Sequence, residues 1–536
     1  MLPVVRTSRA LAWLRRWWPD LVGGLVALVY ALPSLWYPFS KDQPIHWYIA
    51  ERLLEGELPY VSALSTKAPG VFALLAGAQA VFGDSMVTVR IVDVLFIAIG
   101  GWLVATFRRQ ATLPGATIER PQRVPGELGA AWVLAATFHY TFFDFSDTGH
   151  PELWQGVLML SSVWIVARAP DLRISPRRAF AAGAMAMAAV TFKHVAFVTG
   201  VLAGALIVVL ALRRESPEPR RALRNAALFT AAVGGVLGLT VLPWALAGHF
   251  DVLWETMVTF ILDYAGKSVG GHHRGPPPFL TYDHGLFAFV AALAALYAGL
   301  ATTFANRHRR ERAVGWIVLL TFATAFVSVA VQKRGFVSFV WTYYFVTMVP
   351  FLALAAGWGL RVQLPRRGVA QLGVAVALMA AFFCYQPAGT HQSQHSYLDE
   401  HASFWPFLIG RRTATDHHAP HRDGPLEDYN RLRRVADYVT SRARPGDTLC
   451  LDGWIMMVYQ MTKLRCPSRF LYGDGPNRRP EWVAEYREML AREPPTFFVT
   501  FGLRPRVRQL VRRGYSRHDI RFEDAWYTVL EAPRDP

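Results

Sequence analysis

The chain reads as a series of apolar runs separated by short polar connections, and most of the runs approach the length of a bilayer crossing. About 20 apolar residues span a hydrocarbon core. Such runs fall at roughly 17–36, 86–107, 127–143, 152–168, 178–192, 195–212, 226–246, 284–304, 313–331, 339–359 and 368–385, which predicts eleven spans. The break between the fifth and sixth depends on Lys193 and His194 lying in a turn. Were they at mid-membrane, the two runs would merge and every later connection would change sides. The loop after the first span has structure of its own. Residues 46–55 pattern an amphipathic helix, with Trp47, Ile49, Ala50, Leu53 and Leu54 set against Glu51, Arg52 and Glu55, and Gly56 and Pro59 as its stop. The run from Val71 to Phe82 is too short to cross and reads as interfacial or re-entrant. Two such helices would frame a cavity at headgroup depth.

The pattern changes after residue 385. Residues 386–425 are polar and rich in His and Pro, as in a linker or an irregular cap. Helix and strand patterns then alternate: helix 426–444, strand 448–452, helix 480–492, strand 496–501, helix 506–513, and closing strands near Ile520 and Tyr527. The expected fold is an all-α polytopic membrane domain over 1–385, then an extracytoplasmic linker and small α/β domain over 386–536.

Composition supports this and adds an orientation. The chain has 536 residues, 53% hydrophobic and 18% charged, which is too apolar for a soluble multidomain protein. Its net charge of +17 would suit a nucleic-acid partner, but no basic face or binding motif gathers it, so nucleic acid is excluded. Alternate connections carry arginine without lysine, as in Arg213–Arg224 and Arg307–Arg312. Basic short loops stay in the cytoplasm. The N-terminus is therefore expected inside the inner membrane and the C-terminal domain outside. Every lysine (Lys41, Lys67, Lys193, Lys267, Lys333, Lys463) falls on the outer side, where orientation does not require charge. No cleavable signal peptide is expected, because the first apolar run leads into a charged loop without a small-residue cleavage site. Cys384 reads as packing within a span. Cys450 and Cys466 fall in the outer domain, where oxidation is permitted, although spacing alone does not establish disulfide geometry.

The candidate chemistry lies in the outer loops. Asp42 follows the first span, either as a general base toward an acceptor hydroxyl or as a cap on the next helix. The loop Asp144-Phe145-Ser146-Asp147-Thr148-Gly149-His150-Pro151-Glu152 sets three carboxylates and a histidine between two spans. Asp147 and Glu152 are candidate catalytic acids in a polar cavity at membrane depth, or they start the next helix. His150 with these acids has the donors for a divalent metal, but no diagnostic ligand spacing. Lys67, Lys193 with His194, and Lys333 with Arg334 come from three separate loops. They either snorkel to lipid headgroups or converge on a phosphate whose charge grows as it leaves. Tyr343 and Tyr344 are interfacial anchors or the lining of a sugar pocket.

An Asp after the first span, then Glu55-Gly56-Glu57-Leu58-Pro59-Tyr60, Thr66-Lys67-Ala68-Pro69-Gly70, Phe82-Gly83-Asp84-Ser85 and Arg90, resembles the first outer loop of GT-C glycosyltransferases. The bacterial branch related to protein O-mannosyltransferases and lipid A aminoarabinose transferases is the best match. The stretch from Lys333 to Pro350, and Tyr459 with Pro467-Ser468-Arg469-Phe470, resemble later parts of the same family. The resemblance implies a polyprenyl-phosphate-linked sugar as donor, an acceptor hydroxyl on a lipid, glycan or protein, and inversion outside the membrane. It implies a first-loop carboxylate as base, here Asp42, and a basic residue on the donor phosphate, here Lys67. Tyr60, His150, Tyr343 and Tyr344 are then expected to line the sugar or acceptor pocket. Many members follow the first Asp with a second acid. Here Gln43 follows, which weakens a metal-dependent reading of this loop. A lipid-linked-sugar transporter is the first rival, but would show related repeats and broken mid-membrane helices. A non-catalytic assembly protein is the second, and would not need the outer charges.

Overall fold

The computed structural model describes residues 9–40, 42–107, 124–169, 173–212, 218–267, 309–330, 342–365, 367–384, 397–421, 428–472, 479–501, 505–522 and 525–533, with a few positions between 293 and 304. Among the described residues the first part of the chain forms the helices α1 (Arg9–Ala31), α2 (Gln43–Leu54), α3 (Pro69–Phe82), α4 (Met86–Thr106), α5 (Glu127–Tyr140), α6 (Pro151–Ala167), α7 (Pro176–Val190), α8 (Phe197–Leu212) and α9 (Pro219–Leu246). Helices Arg309–Ala330, Val349–Gln363 and Gly368–Cys384 follow.

Among the described residues, six stretches are both long and apolar enough to cross a membrane: Arg16–Trp36, Met86–Thr106, His194–Leu212, Pro219–Leu246, Arg312–Val329 and Tyr344–Gln363. Four more expected spans form helices shorter than the roughly 20 residues of a typical crossing. These are α5 (14 residues), α6 (17), α7 (15) and Gly368–Cys384 (17). The expected span 284–304 lies largely outside the described residues. The chain breaks between α7 and α8, where Lys193 is extended (φ −159°, ψ 132°), so the fifth and sixth runs are separate helices.

Helix packing follows from small residues and buried caps. A Cβ on Gly23 of α1 would lie 2.4 Å from the Gly129 Cα of α5, so only glycine permits that crossing. Beside it, Asp20 accepts hydrogen bonds from the backbone N–H groups of Gly126, Leu128 and Gly129 at 3.2, 2.9 and 3.0 Å. A carboxylate from one helix thus satisfies the orphan donors at the start of another. By contrast α9 bares Leu223, Leu239 and Leu246, each more than two-thirds exposed, as expected of a face turned to lipid.

The two helices expected in the first loop are present as α2 and α3. The stretch read as a linker is helical where it is described, at Tyr397–Leu408 and Ala414–His418. The first of these docks on α1 through a hydrogen bond from the Tyr397 hydroxyl to the Tyr30 carbonyl. The remainder is the expected small α/β unit. Strands β1 (Leu449–Asp452), β2 (Phe497–Phe501), β3 (Ser516–Arg521) and β4 (Trp526–Glu531) form one sheet of order β1-β2-β4-β3, with β1 and β2 parallel and the other pairs antiparallel. Helices Tyr429–Thr440, Met457–Thr462, Pro480–Arg492 and Pro505–Arg512 accompany it.

This unit roofs the first loop. Tyr48 of α2 packs on Tyr459 with ring centroids 5.3 Å apart, and its hydroxyl accepts from the Cys466 N–H at 3.0 Å. Leu64 N–H donates to the Arg469 carbonyl at 2.6 Å. Around these contacts run ion pairs of Lys463 with Asp84, and of Arg465 with Glu55 and Glu57. A second tie joins Arg479 to Glu255 and Asp263 at 3.3 and 2.8 Å, in the helical segment after α9. Cys384 is exposed at the end of its helix rather than packed within a span.

Candidate active site

Three connections meet beneath this roof, and their charges converge on Glu152. Its side chain is fully buried in the first turn of α6. Oxygen Oε1 accepts from the Lys67 ammonium at 2.9 Å and from the Lys193 ammonium at 2.8 Å. Lys67 arrives from the turn before α3 and Lys193 from the break between α7 and α8. Proline at 69 starts α3 without using Lys67, and the break at 191–193 leaves the Lys193 side chain clear of either helix. The Lys193 ammonium also lies 3.6 Å from the centroid of the Tyr344 ring, a cation–π contact. Burial pushes the Lys193 ammonium down to about 8, despite the attraction of Glu152.

Asp42 stands at the start of α2 and its side chain does not cap that helix. Among the described residues its carboxylate has no hydrogen-bond or ion-pair partner. Its negative charge acts on both His150 and Lys193. His150 Nδ1 lies 3.8 Å from Glu152 Oε2, and its ring packs edge-on to that of His46, with centroids 6.5 Å apart. Burial, reinforced by Lys67, holds both imidazoles below their ordinary values, so both are neutral at pH 7. The result is a cluster of two ammonium groups, two neutral imidazoles and one buried carboxylate, with a second carboxylate accessible beside it.

A separate knot fixes the two loops that carry the acids. Arg90, 1% exposed in α4, donates to Thr148 Oγ1 at 2.9 Å, the Pro38 carbonyl at 2.8 Å and Gln43 Oε1 at 3.0 Å. Gln43 donates in turn to the Phe145 and Thr148 carbonyls. Only an amide can accept from Arg90 and also donate to two carbonyls, and a carboxylate at this position has no proton to give. Here lies a physical reason for an amide rather than an acid at Gln43. Gly149 (φ 70°) passes so close that a Cβ would lie 2.6 Å from Arg90 Nη1. On the other side of the turn, Asp93 accepts from Gly149 N–H at 2.5 Å and Trp154 Nε1 at 2.7 Å. Arg90→Met should therefore destabilise the fold by roughly 1–3 kcal/mol for each group left unpaired, read as a lowered unfolding midpoint in detergent. Arg90→Lys should recover little, because an ammonium cannot span the same fork of acceptors.

The other expected site residues fall as follows. Asp147 is buried in the turn beside the knot. The Asp144 carboxylate accepts from Ser146 N–H and Oγ and from Asp147 N–H, which builds the turn itself. Tyr60 is fully buried, so it does not line an open pocket. It stacks on Trp244 at 5.9 Å and its hydroxyl donates to the Lys67 carbonyl at 2.7 Å, which holds the backbone behind the ammonium. His194 is exposed, and its side chain makes no hydrogen bond or ion pair among the described residues. Lys333 and Arg334 lie outside the described residues, as does the side chain of Tyr343. Among the described residues no group of three or more His, Cys, Asp or Glu side chains is placed to hold a metal ion. Sequence reasoning missed Asp93 and His46. Asp93 was discoverable as a carboxylate inside an apolar span, and His46 as the residue one turn after Asp42 on the same helix face.

No family model and no curated protein matches the chain. The solved structures that are similar include two of one protein. ArnT from Cupriavidus metallidurans bound to undecaprenyl phosphate aligns with a TM-score of 0.58 at 12% identity, over 96% of this chain and 99% of that one. The same ArnT in the apo state aligns with a TM-score of 0.57 at 13% identity, over 98% of this chain and 100% of that one. Across nearly its whole length the chain thus shares the ArnT fold, a multi-pass helical membrane domain with a C-terminal domain seated on one face.

Proposed function

We propose that the chain is a membrane glycosyltransferase that moves a sugar from a polyprenyl-phosphate donor to an acceptor hydroxyl on a lipid, glycan or protein, with inversion. The reaction takes place at the extracytoplasmic face of the inner membrane, with the N-terminus in the cytoplasm and the C-terminal unit outside. The observation that carries this reading is the pair of ammonium groups gathered on Glu152 beside an accessible Asp42. The shared fold supports it, because the ArnT structure binds undecaprenyl phosphate. The segregation of arginine from lysine supports the orientation.

In this mechanism Asp42 takes the proton of the acceptor hydroxyl, and the freed oxygen attacks the anomeric carbon. The bond from that carbon to the phosphate oxygen breaks on the opposite face. The electron pair leaves with the lipid phosphate, whose charge Lys67 and Lys193 stabilise as it forms. Lys333 and Arg334 are the further cations expected there. Glu152 is too buried to reach a substrate. It holds two ammonium groups together that would otherwise repel, and so positions them for the phosphate. Asp147 acts with the same turn, and Tyr344 steadies Lys193 from its other side. Much of the acceleration comes from holding donor and acceptor in line.

The test is transfer by the purified protein from labelled polyprenyl-phosphate sugars to candidate acceptors, with release of polyprenyl phosphate. Movement of intact lipid-linked sugar across vesicles without cleavage would replace this reading with a transporter. A pH dependence follows from Lys193. Below about pH 8 it is charged and grips the phosphate, and above that it loses the proton. The KM for donor should therefore rise as pH rises through that value. Lys193→Arg, which stays charged, should remove that limb of the profile.

A further inference from the structure

We infer that Cys450 and Cys466 form a disulfide that ties the segment lying on the first loop to the sheet of the C-terminal unit. The two sulfurs lie 3.9 Å apart with both residues as thiols, and a bond requires approach to about 2.0 Å. The backbone already brings them together. Thr448 and Arg465 form a parallel bridge, and Leu449 N–H donates to the Arg465 carbonyl at 2.9 Å, so each cysteine sits just beyond a paired position. Cys450 is buried in β1, a strand of the central sheet. Cys466 lies in the segment that touches the first loop: its own N–H bonds Tyr48, and its neighbours Lys463, Arg465 and Arg469 make the contacts described above. Oxidation would tie that segment to the rigid sheet.

Burial raises both thiols, but hydrogen bonds to Cys466 outweigh it there, so Cys466 is the more acidic of the pair. It is also the more exposed. Its thiolate attacks the disulfide of a protein thiol oxidase and forms a mixed disulfide. The Cys450 thiolate then attacks the Cys466 sulfur and releases the oxidase as its dithiol. The two protons given up by the cysteines and the two electrons both end on the oxidase dithiol.

This inference rests on the proposed extracytoplasmic placement of the C-terminal unit, since such bonds persist in oxidising compartments. Cells are lysed directly into denaturant containing an alkylating maleimide, so that buried thiols also react, and the full chain is purified and weighed. The expected result is one label without reduction, on Cys384, and three after reduction and unfolding. A Cys450→Ala, Cys466→Ala variant should carry one label under both conditions. Three labels without reduction overturn the inference. A mild oxidant applied to unlabelled, folded protein then locates the error. Closure of the bond in vitro faults the assigned compartment, and failure to close faults the geometry.

Discussion

Asp42→Asn is expected to cut glycosyl transfer by about 10²–10⁴-fold, the usual contribution of a general base. The change keeps shape and removes only the capacity to take a proton. Because the Asp42 side chain neither caps α2 nor pairs with a described residue, its replacement releases no buried partner. Expression, unfolding midpoint and donor binding should therefore match the parent protein, and the loss should fall on kcat. Undiminished turnover would remove Asp42 from the mechanism. A collapsed midpoint would show that Asp42 supports the fold instead.

Glu152→Ala has the opposite profile. It leaves two ammonium groups facing each other, with Lys67 only 6% exposed and Lys193 less than one-fifth exposed. Removing one partner of a buried ionic cluster costs about 3–5 kcal/mol, because the remaining charge is uncompensated. The unfolding midpoint should fall sharply. Adding Lys193→Met to Glu152→Ala should restore part of that stability, since one of the clashing charges is gone. The two residues are in contact, so their effects should be far from additive. Activity should not return in the double variant, because it has a single lysine left for the phosphate. Restored transfer in that variant would assign Glu152 a purely structural role and deny Lys193 any part in donor binding.

Much of this arrangement was legible before the fold was known. Asp42, Lys67 and Lys193 stood out because each sits in a short connection on the side where charge is not needed for orientation. The break at Lys193 was readable from two residues that interrupt an apolar run. The convergence of the three connections on Glu152 was not readable, because it depends on how α3, α6 and α7 pack, and that information is spread over many small residues. Glu152 therefore looked like a reactive acid when it is the counter-ion of two lysines. The helices at Tyr397–Leu408 and Ala414–His418 were hidden for another reason. Tyr397–Leu408 places Asp399, Glu400 and His401 in succession and Pro406 near its end, and Ala414–His418 is five mostly polar residues, so no sustained apolar stripe marks them. They are held by tertiary contacts such as that of Tyr397 with α1. The knot around Arg90 was partly visible as a motif, but its logic depends on the amide of Gln43 and appears only when both its donors and its acceptor are seen in use.

The seam between the roof and the first loop has an aromatic middle and an ionic edge. Tyr48 and Tyr459 are buried, whereas Lys463 and Arg465 are 40% and 56% exposed. Mobile ions weaken exposed pairs over a screening length of about 10 Å at 0.1 M and barely reach enclosed ones. Dissolved salt will thus loosen the seam from its perimeter inward and spare its centre. A preparation washed at high ionic strength contains a molecule whose two halves grip each other less firmly than they do in dilute buffer.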